Sequence, residues 1–296
     1  MSGQFQDKVV VITGASAGVG ASAARQFAAE GAKLVLVARG QEAVEAIAYE
    51  FGDRGVAVPM DVADEPSCKE MLHRAERHFG AINVLVNNAG CNYRGPAETI
   101  EAAQLAQIVD VNLRAPIVLS RYAIEHFKRA GGGSIVNVAS IAGKIPVPEE
   151  ATYSATKFGL RAFSRALADE VAEYGITVSC VSPGPIDTAF IMDHIDKVPD
   201  YFFSQPISTA NQVAGLILEC AADGKVERTV PVLTGKLATA GYLMPWLADF
   251  LRPMLARKGM RVKAKYVERN EAVRKRAQAA KERAREKSAA GSKPDA

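Results

Sequence analysis

Six short runs constrain this chain more than anything else in it: KVVVIT (8–13), KLVLVA (33–38), GVAVPM (55–60), INVLVN (82–87), SIVNVA (134–139) and ITVSCV (176–181). Each is rich in β-branched residues and apolar at consecutive positions, so a strand made from it needs cover on both faces. Longer segments lie between them, among them AGVGASAARQFAAEG (17–31) and ATYSATKFGLRAFSRALADEVAEYG (151–175). These carry helical periodicity and end in glycine. Strands that alternate with helices build a parallel sheet through right-handed crossovers. The pattern therefore predicts an α/β fold, a Rossmann-type doubly wound parallel sheet of about seven strands with helices on both faces. No internal repeat and no linker interrupts it before about residue 225. With 48% hydrophobic side chains in 296 residues, the chain has the apolar content to bury such a sheet.

The turn after the first run, in VVVITGASAGVGASAARQFAAEG, places Gly14, Gly18 and Gly20 between a strand and a helix. A pyrophosphate needs backbone N–H donors at close range, and side chains at these positions would obstruct it. The helix N-terminus after Gly18 adds a favourable partial charge. Glycines also make plain turns; it is the order strand, glycines, helix that points to a dinucleotide.

A second constellation lies in VNVASIAGKIPVPEEATYSATKFGL (136–160), which holds Ser140, Tyr153 and Lys157. Reducing a carbonyl takes a hydride at carbon and a proton at oxygen, and the reverse needs a base. A free tyrosine, with a pKa of about 10, is roughly 0.1% ionised at neutral pH, and lowering that pKa by two to three units takes about 3–4 kcal/mol. A positive charge about 4 Å away supplies about 1 kcal/mol in water and about 4 kcal/mol at an effective dielectric of about 20. A lysine can therefore activate the phenol only in a partly dehydrated cleft. The i, i+4 spacing puts Tyr153 and Lys157 on one helix face. Ser140, after another strand, can meet them at the carboxyl edge of the sheet and polarise a substrate oxygen.

The spacing T-G-x-x-x-G-x-G resembles the short-chain dehydrogenase/reductase family, in its single-domain branch. NNAG (Asn87 to Gly90), DVNL with Asn112, SIVNVASIAG with Ser140, YSATK with Tyr153 and Lys157, and PGPIDT (Pro183 to Thr188) then follow in the family's order over roughly 5–232. The resemblance implies a catalytic set of Asn112, Ser140, Tyr153 and Lys157. Tyr153 would be the general acid/base, Lys157 would lower its pKa and hold the nicotinamide ribose, and Asn112 would support a proton-relaying water. It implies a nucleotide bound by Gly14, Ser16, Gly18, Val19 and Gly20, with Asp61 and Val62 flanking the adenine. Asn88, Ala89 and Gly90 would line the nucleotide beyond it, and Pro183, Gly184, Ile186 and Thr188 would lie at the carboxamide.

Where NAD-preferring relatives carry Asp after the second strand, this chain has Ala38 and then Arg39. A guanidinium can hold a 2′-phosphate through two charge-assisted hydrogen bonds, so NADP(H) is expected over NAD; the plain alternative is a solvated loop cation. The implied function is an NADP(H)-dependent oxidoreductase interconverting a carbonyl and an alcohol. The alternatives are an NAD-dependent dehydrogenase or a nucleotide-sensing binding protein without turnover, the latter opposed by the complete Asn112–Ser140–Tyr153–Lys157 set. Pairing as a homodimer or homotetramer, through the long helices holding Asn112 and Tyr153, is also implied.

The segment 183–212 contains Phe190, Ile191, Met192, Tyr201, Phe202 and Phe203. It reads as a mobile lid over an apolar substrate, or as aromatics that merely pack the loop onto the body. Cys91 and Tyr93 are candidates for the same pocket. The histidines His73, His78, His126 and His194 have no ligand spacing, the first three reading as helix-surface residues, and no metal is expected. Cys68, Cys91, Cys180 and Cys220 lie far apart with no CxxC. They read as free thiols of a reducing compartment. With no secretory signal and no apolar run of about 18 residues, a cytoplasmic protein, or one on the cytoplasmic face of a membrane, is expected.

From 237 the composition changes. The chain divides into an α/β catalytic domain (1–236), an apolar then basic helical extension (237–268) and a charged, partly disordered tail (269–296). From Arg252 to the end there are 15 Lys/Arg against 5 Asp/Glu, while the preceding residues hold 21 against 28. Two readings of the extension stay open: peripheral contact with an anionic membrane, or cover for the substrate pocket or a subunit interface. Nucleic acid is disfavoured, since no basic platform interleaved with aromatics is present.

Overall fold

The computed structural model describes residues 3–290, with side chains as far as residue 272. Seven parallel strands form the central sheet: β1 (Val9–Thr13), β2 (Lys33–Ala38), β3 (Gly55–Pro59), β4 (Ile82–Asn87), β5 (Gly133–Val138), β6 (Ile176–Pro183) and, at one edge, β9 (Glu227–Val230). Their order is β3-β2-β1-β4-β5-β6-β9, and a separate short pair is formed by β7 (Ile186–Asp187) and β8 (Ser208–Thr209). The six predicted runs are six of the seven central strands. The seventh, ERTV, is short, polar and half-buried at the sheet edge, so it carries no apolar signal.

The consecutive apolar residues of the strands are explained by the two layers they meet. Val10, Ile12, Leu34 and Leu36 pack toward Phe27 on α1 (Gly18–Ala29) and Val213 and Ile217 on α8 (Ala210–Asp223). Val9, Val11, Val35 and Val37 point the other way, onto Met71 and Leu72 of α3 (Glu65–Phe79) and Leu119 and Phe127 of α5 (Ala115–Ala130). Helix α2 (Gln41–Tyr49) leads from β2 toward β3. Local chemistry sets the helix ends: Asp64 caps α3, Thr209 and Gln212 form a capping box on α8, and Gly131 and Gly224 close α5 and α8 in the left-handed conformation.

Strand order reverses between β1 and β4, and the carboxyl ends of those strands open a crevice where doubly wound folds bind ligands. Helix α4 (Ala102–Val109) passes into α5 through a π-helical turn, Asp110–Arg114, and α6 (Ala151–Val171) packs behind it. The short α7 (Ala189–Met192) lies in the 183–212 segment, the candidate lid. After β9 come α9 (Val232–Leu243) and α10 (Pro245–Ala290), so helix begins five residues before the expected boundary at 237. The tail expected over 269–296 starts within α10, and residues 291–296 lie outside the described residues. No helix among the described residues is long and apolar enough to cross a membrane.

Candidate active site

The crevice is a cleft of about 460 Å³. That falls within the roughly 300–1,000 Å³ usual for small-molecule sites. At one end lies the glycine loop. Gly14 and Gly18 have positive φ, and a Cβ at Gly14 would come within 2.9 Å of the Ala89 backbone. A Cβ at Gly20 would collide with the Gly14 carbonyl oxygen, so Gly20 sits behind the cleft and lets helix and strand approach. No side chain caps α1 and its first turn holds no acid. Its N-terminal N–H groups are thus left for an anion, the donor set a pyrophosphate requires. Ser16, Gly18, Val19, Arg39, Asp61, Val62, Ala89 and Gly90 line the cleft, as do Pro183, Gly184, Ile186 and Thr188. Arg39 is exposed at its rim and makes no hydrogen bond or ion pair among the described residues.

Asn88 also reaches the cleft, but its side chain is committed elsewhere. Its Nδ2 donates to the Thr13 and Gly14 carbonyls at 2.9 and 3.2 Å, fixing the glycine loop to the end of β4. Asn112 is fully buried on the π turn, not on the cleft wall. Its Oδ1 accepts from the Cys91 N–H and its Nδ2 donates to the Cys91 carbonyl, both at 2.9 Å, so the amide shapes the loop after β4. Cys91 lines the cleft; Tyr93 does not, and its hydroxyl bonds Gln107 at 2.7 Å.

At the other end Ser140, Tyr153 and Lys157 converge. Ser140 follows β5, its Oγ accepting from the Ala142 N–H at 3.1 Å. Lys157 is buried, its Nζ donating to the Val138 carbonyl at 3.0 Å and lying 5.6 Å from the Tyr153 ring centre. Burial brings the Lys157 ammonium down to about 8. The Tyr153 phenol is pushed up to about 12, first by burial and then by the Glu150 carboxylate, with Ser140 and Arg94 opposing. The sequence expectation was a lowered phenol pKa. In this structure the loss of hydration, with the Glu150 carboxylate adding to it, outweighs the opposing Ser140 and Arg94.

Glu150 and Arg94 are the site residues that sequence reasoning missed. Arg94 Nε lies 2.5 Å from Glu150 Oε1, and both side chains are almost wholly buried, at 7% and 3% exposure. The same guanidinium sits 5.4 Å from the Phe190 ring centre and donates to the Phe190 carbonyl at 3.3 Å. It thereby ties the start of the lid to the helix that carries Tyr153.

The lid aromatics divide their work. Phe190, Ile191 and Phe202 line the cleft, the Phe190 ring 6.4 Å from that of Tyr153. Met192, Ile195 and Phe203 turn inward and pack with Val262 and Tyr266 of α10. Lys263 Nζ donates to the Val198 carbonyl at 2.6 Å and pairs with Asp200 at 3.0 Å, while Arg269 holds Asp187 through two bonds of 2.7 Å. Gly259 permits this approach, since a Cβ there would strike the Asp200 carbonyl oxygen. The extension thus holds this segment in place.

His194 is exposed and away from the cleft. His126 is buried, not at the surface as expected: its ring meets that of His73 edge-on across the α3–α5 contact, centroids 5.1 Å apart, and lies 3.0 Å from Glu76. The Arg129 guanidinium donates to that carboxylate at 3.0 Å, so the cluster His73, Glu76 and His126 has a cation of the protein's own.

Residues 8–198 match the short chain dehydrogenase family. Among curated proteins, the chain is 36% identical over 194 residues to cis-4-hydroxycyclohexanecarboxylate dehydrogenase of Sinomonas cyclohexanicum, covering 64% of this chain and 78% of that one. It is 35% identical over 216 residues to the 3-oxoacyl-[acyl-carrier-protein] reductase of Homo sapiens, covering 71% and 91%. The crystal structure of levodione reductase superposes with a TM-score of 0.71 at 26% identity, over 80% of this chain and 99% of that one.

Proposed function

Because the chain belongs to the short-chain dehydrogenase/reductase family, oxidoreductases that act on carbonyls and alcohols, we propose that it is an NADP(H)-dependent enzyme with an apolar substrate. The carrying observation is one cleft that joins an uncapped, glycine-lined helix N-terminus and an unpaired Arg39 to Ser140, Tyr153 and Lys157. The glycine loop would hold the pyrophosphate, Arg39 with Ser16 the 2′-phosphate, Asp61 and Val62 the adenine, and Ile186 and Thr188 the carboxamide. A bound nicotinamide supplies or accepts the hydride. Ser140 orients the substrate oxygen, Tyr153 gives or takes its proton, and Lys157 places a positive charge beside the phenol. Asn112 holds the loop that carries Cys91. Phe190, Ile191 and Phe202 exclude water above the reacting centre and favour an apolar substrate. Self-association through α5 and α6 is part of the same proposal.

Arg39→Asp tests the cofactor assignment. Losing charge-assisted bonds and gaining a repelling carboxylate should lower kcat/KM for NADPH by about 100-fold and leave or raise that for NADH. A wild type that prefers NADH, with NADPH turnover unchanged in the variant, would favour the NAD-dependent alternative.

The pKa directions set the pH dependence. Reduction needs the Tyr153 proton, which is retained below about 12, and the Lys157 charge, which is lost above about 8. Carbonyl reduction should therefore hold at neutral pH and fall as Lys157 deprotonates. Alcohol oxidation needs the phenolate and should climb through the alkaline range. Opposite pH slopes in rates measured in the two directions check this.

The clamp on the lid is tested by Gly259→Val, which forces α10 from Asp200. KM for the carbonyl should rise about tenfold, with trypsin cleavage between 189 and 207 accelerated. An unchanged KM and cleavage pattern would assign α10 a role away from the lid.

A further inference from the structure

The face that α10 turns away from the lid carries a different message. Residues 246, 250, 254, 257 and 261 recur at three- and four-residue spacing and share one exposed side of the helix. The inward side is formed by Gly259, Val262, Lys263, Tyr266 and Asn270. The outward stripe begins with Trp246, Phe250 and Met254, exposed by 69%, 77% and 60%, and runs directly into Arg257 and Arg261. On α9, Leu233, Leu237 and Leu243 continue the apolar surface. Ten of the fifteen large hydrophobics exposed among the described residues fall between 232 and 260, so the patch is a local feature.

Its charge selects the occupant. The exposed positions of 237–267 hold Arg252, Arg257, Lys258, Arg261 and Lys265 against the single acid Asp249, which is already paired with Arg252 at 2.9 Å, while Lys263 is spent inward on Asp200. A two-fold contact brings a patch against itself, and this one has no free acid to offer a second copy's arginines, since Asp249 is already paired. An anionic lipid surface meets both halves of the stripe, taking aromatic and aliphatic side chains into the interfacial region and the arginines at the headgroups.

We propose that α9 and the first turns of α10 dock the protein peripherally on anionic bilayers, with Trp246 and Phe250 inserted and Arg257 and Arg261 at the headgroups. The same helix holds the lid, so docking brings the substrate cleft to a surface in which apolar carbonyls partition. The cleft chemistry is not needed for the docking itself.

The test uses the full chain and vesicles of phosphatidylcholine, alone or with phosphatidylglycerol. Trp246 is the only tryptophan, so its emission reports on this surface alone. Anionic vesicles should shift it to the blue and carry the protein into the pellet, at least about tenfold more tightly than neutral ones and less so in high salt. Trp246→Ser with Phe250→Ser, and separately Arg257→Glu with Arg261→Glu, should each weaken sedimentation about tenfold or more, with unchanged circular dichroism. Absence of binding to either vesicle would overturn the proposal. So would binding that survives both double variants. An oligomer that Trp246→Ser with Phe250→Ser dissociates, with no lipid binding, would instead assign the patch to a second copy.

Discussion

Tyr153→Phe is expected to lower kcat by about 1,000-fold in both directions while leaving NADPH binding within a few-fold. The substitution removes one oxygen and keeps the ring that faces Phe190 at 6.4 Å and lies 5.6 Å from the Lys157 ammonium. Packing around the cleft is thus retained and only the proton carrier is lost. The glycine loop and Arg39 sit at the other end of the cleft, so cofactor titration serves as the control for an intact site. The raised phenol pKa strengthens the expectation. A proton donor is present in full at neutral pH, and the Ser140 hydroxyl, whose ordinary acidity is far below that of a phenol, does not replace it. Steady-state kinetics with NADPH titrated by fluorescence would check both parts. A variant that keeps a tenth or more of wild-type turnover would remove Tyr153 from its role.

Arg94→Met should cost about 3–5 kcal/mol of stability and lower Tm by roughly 10 °C, because it strands the Glu150 carboxylate in the cleft wall. The pair is nearly solvent-free, so water cannot compensate for the missing guanidinium. The double variant Arg94→Met with Glu150→Gln should recover most of the loss, which distinguishes a stranded charge from lost packing. The pH dependence carries a second signature. Glu150 raises the Tyr153 pKa and Arg94 lowers it, while Ser140, Cys91 and Lys157 face the same phenol and are untouched. Arg94→Met should therefore move the alkaline rise of alcohol oxidation to higher pH, and Glu150→Gln should move it lower. Thermal unfolding and pH–rate profiles of the three variants would check the pair. A single variant as stable as wild type would mean that Glu150 finds another partner.

The parts of the fold that were legible in the sequence are those whose burial is two-sided. KVVVIT and KLVLVA are apolar at every other position and at the positions between, and each set meets its own helix layer. ERTV escaped because an edge strand needs no such run. The residues of the cleft were legible because strand ends and a glycine turn lie at fixed places in a doubly wound sheet. What lay beyond reach was how side chains are spent. Nothing in DVNL says that both ends of the Asn112 amide go to Cys91. Arg94 and Glu150 are 56 residues apart in the chain, and ion pairing over that distance leaves no periodic trace. Gly259 did offer a signal. A lone glycine within a basic helix costs about 1 kcal/mol against alanine and so points to a close approach, here to Asp200. The burial of His126 had no such marker, because its helix face is decided by α3.

The central claim is that the cleft turns over a carbonyl with NADPH. Oxidation of NADPH and of NADH should be followed with a panel of apolar and polar ketones and aldehydes. Turnover is expected with NADPH, faster for apolar substrates and at least about tenfold slower with NADH. Tight NADPH binding with no turnover across the whole panel would contradict it and leave a nucleotide-binding protein without catalysis.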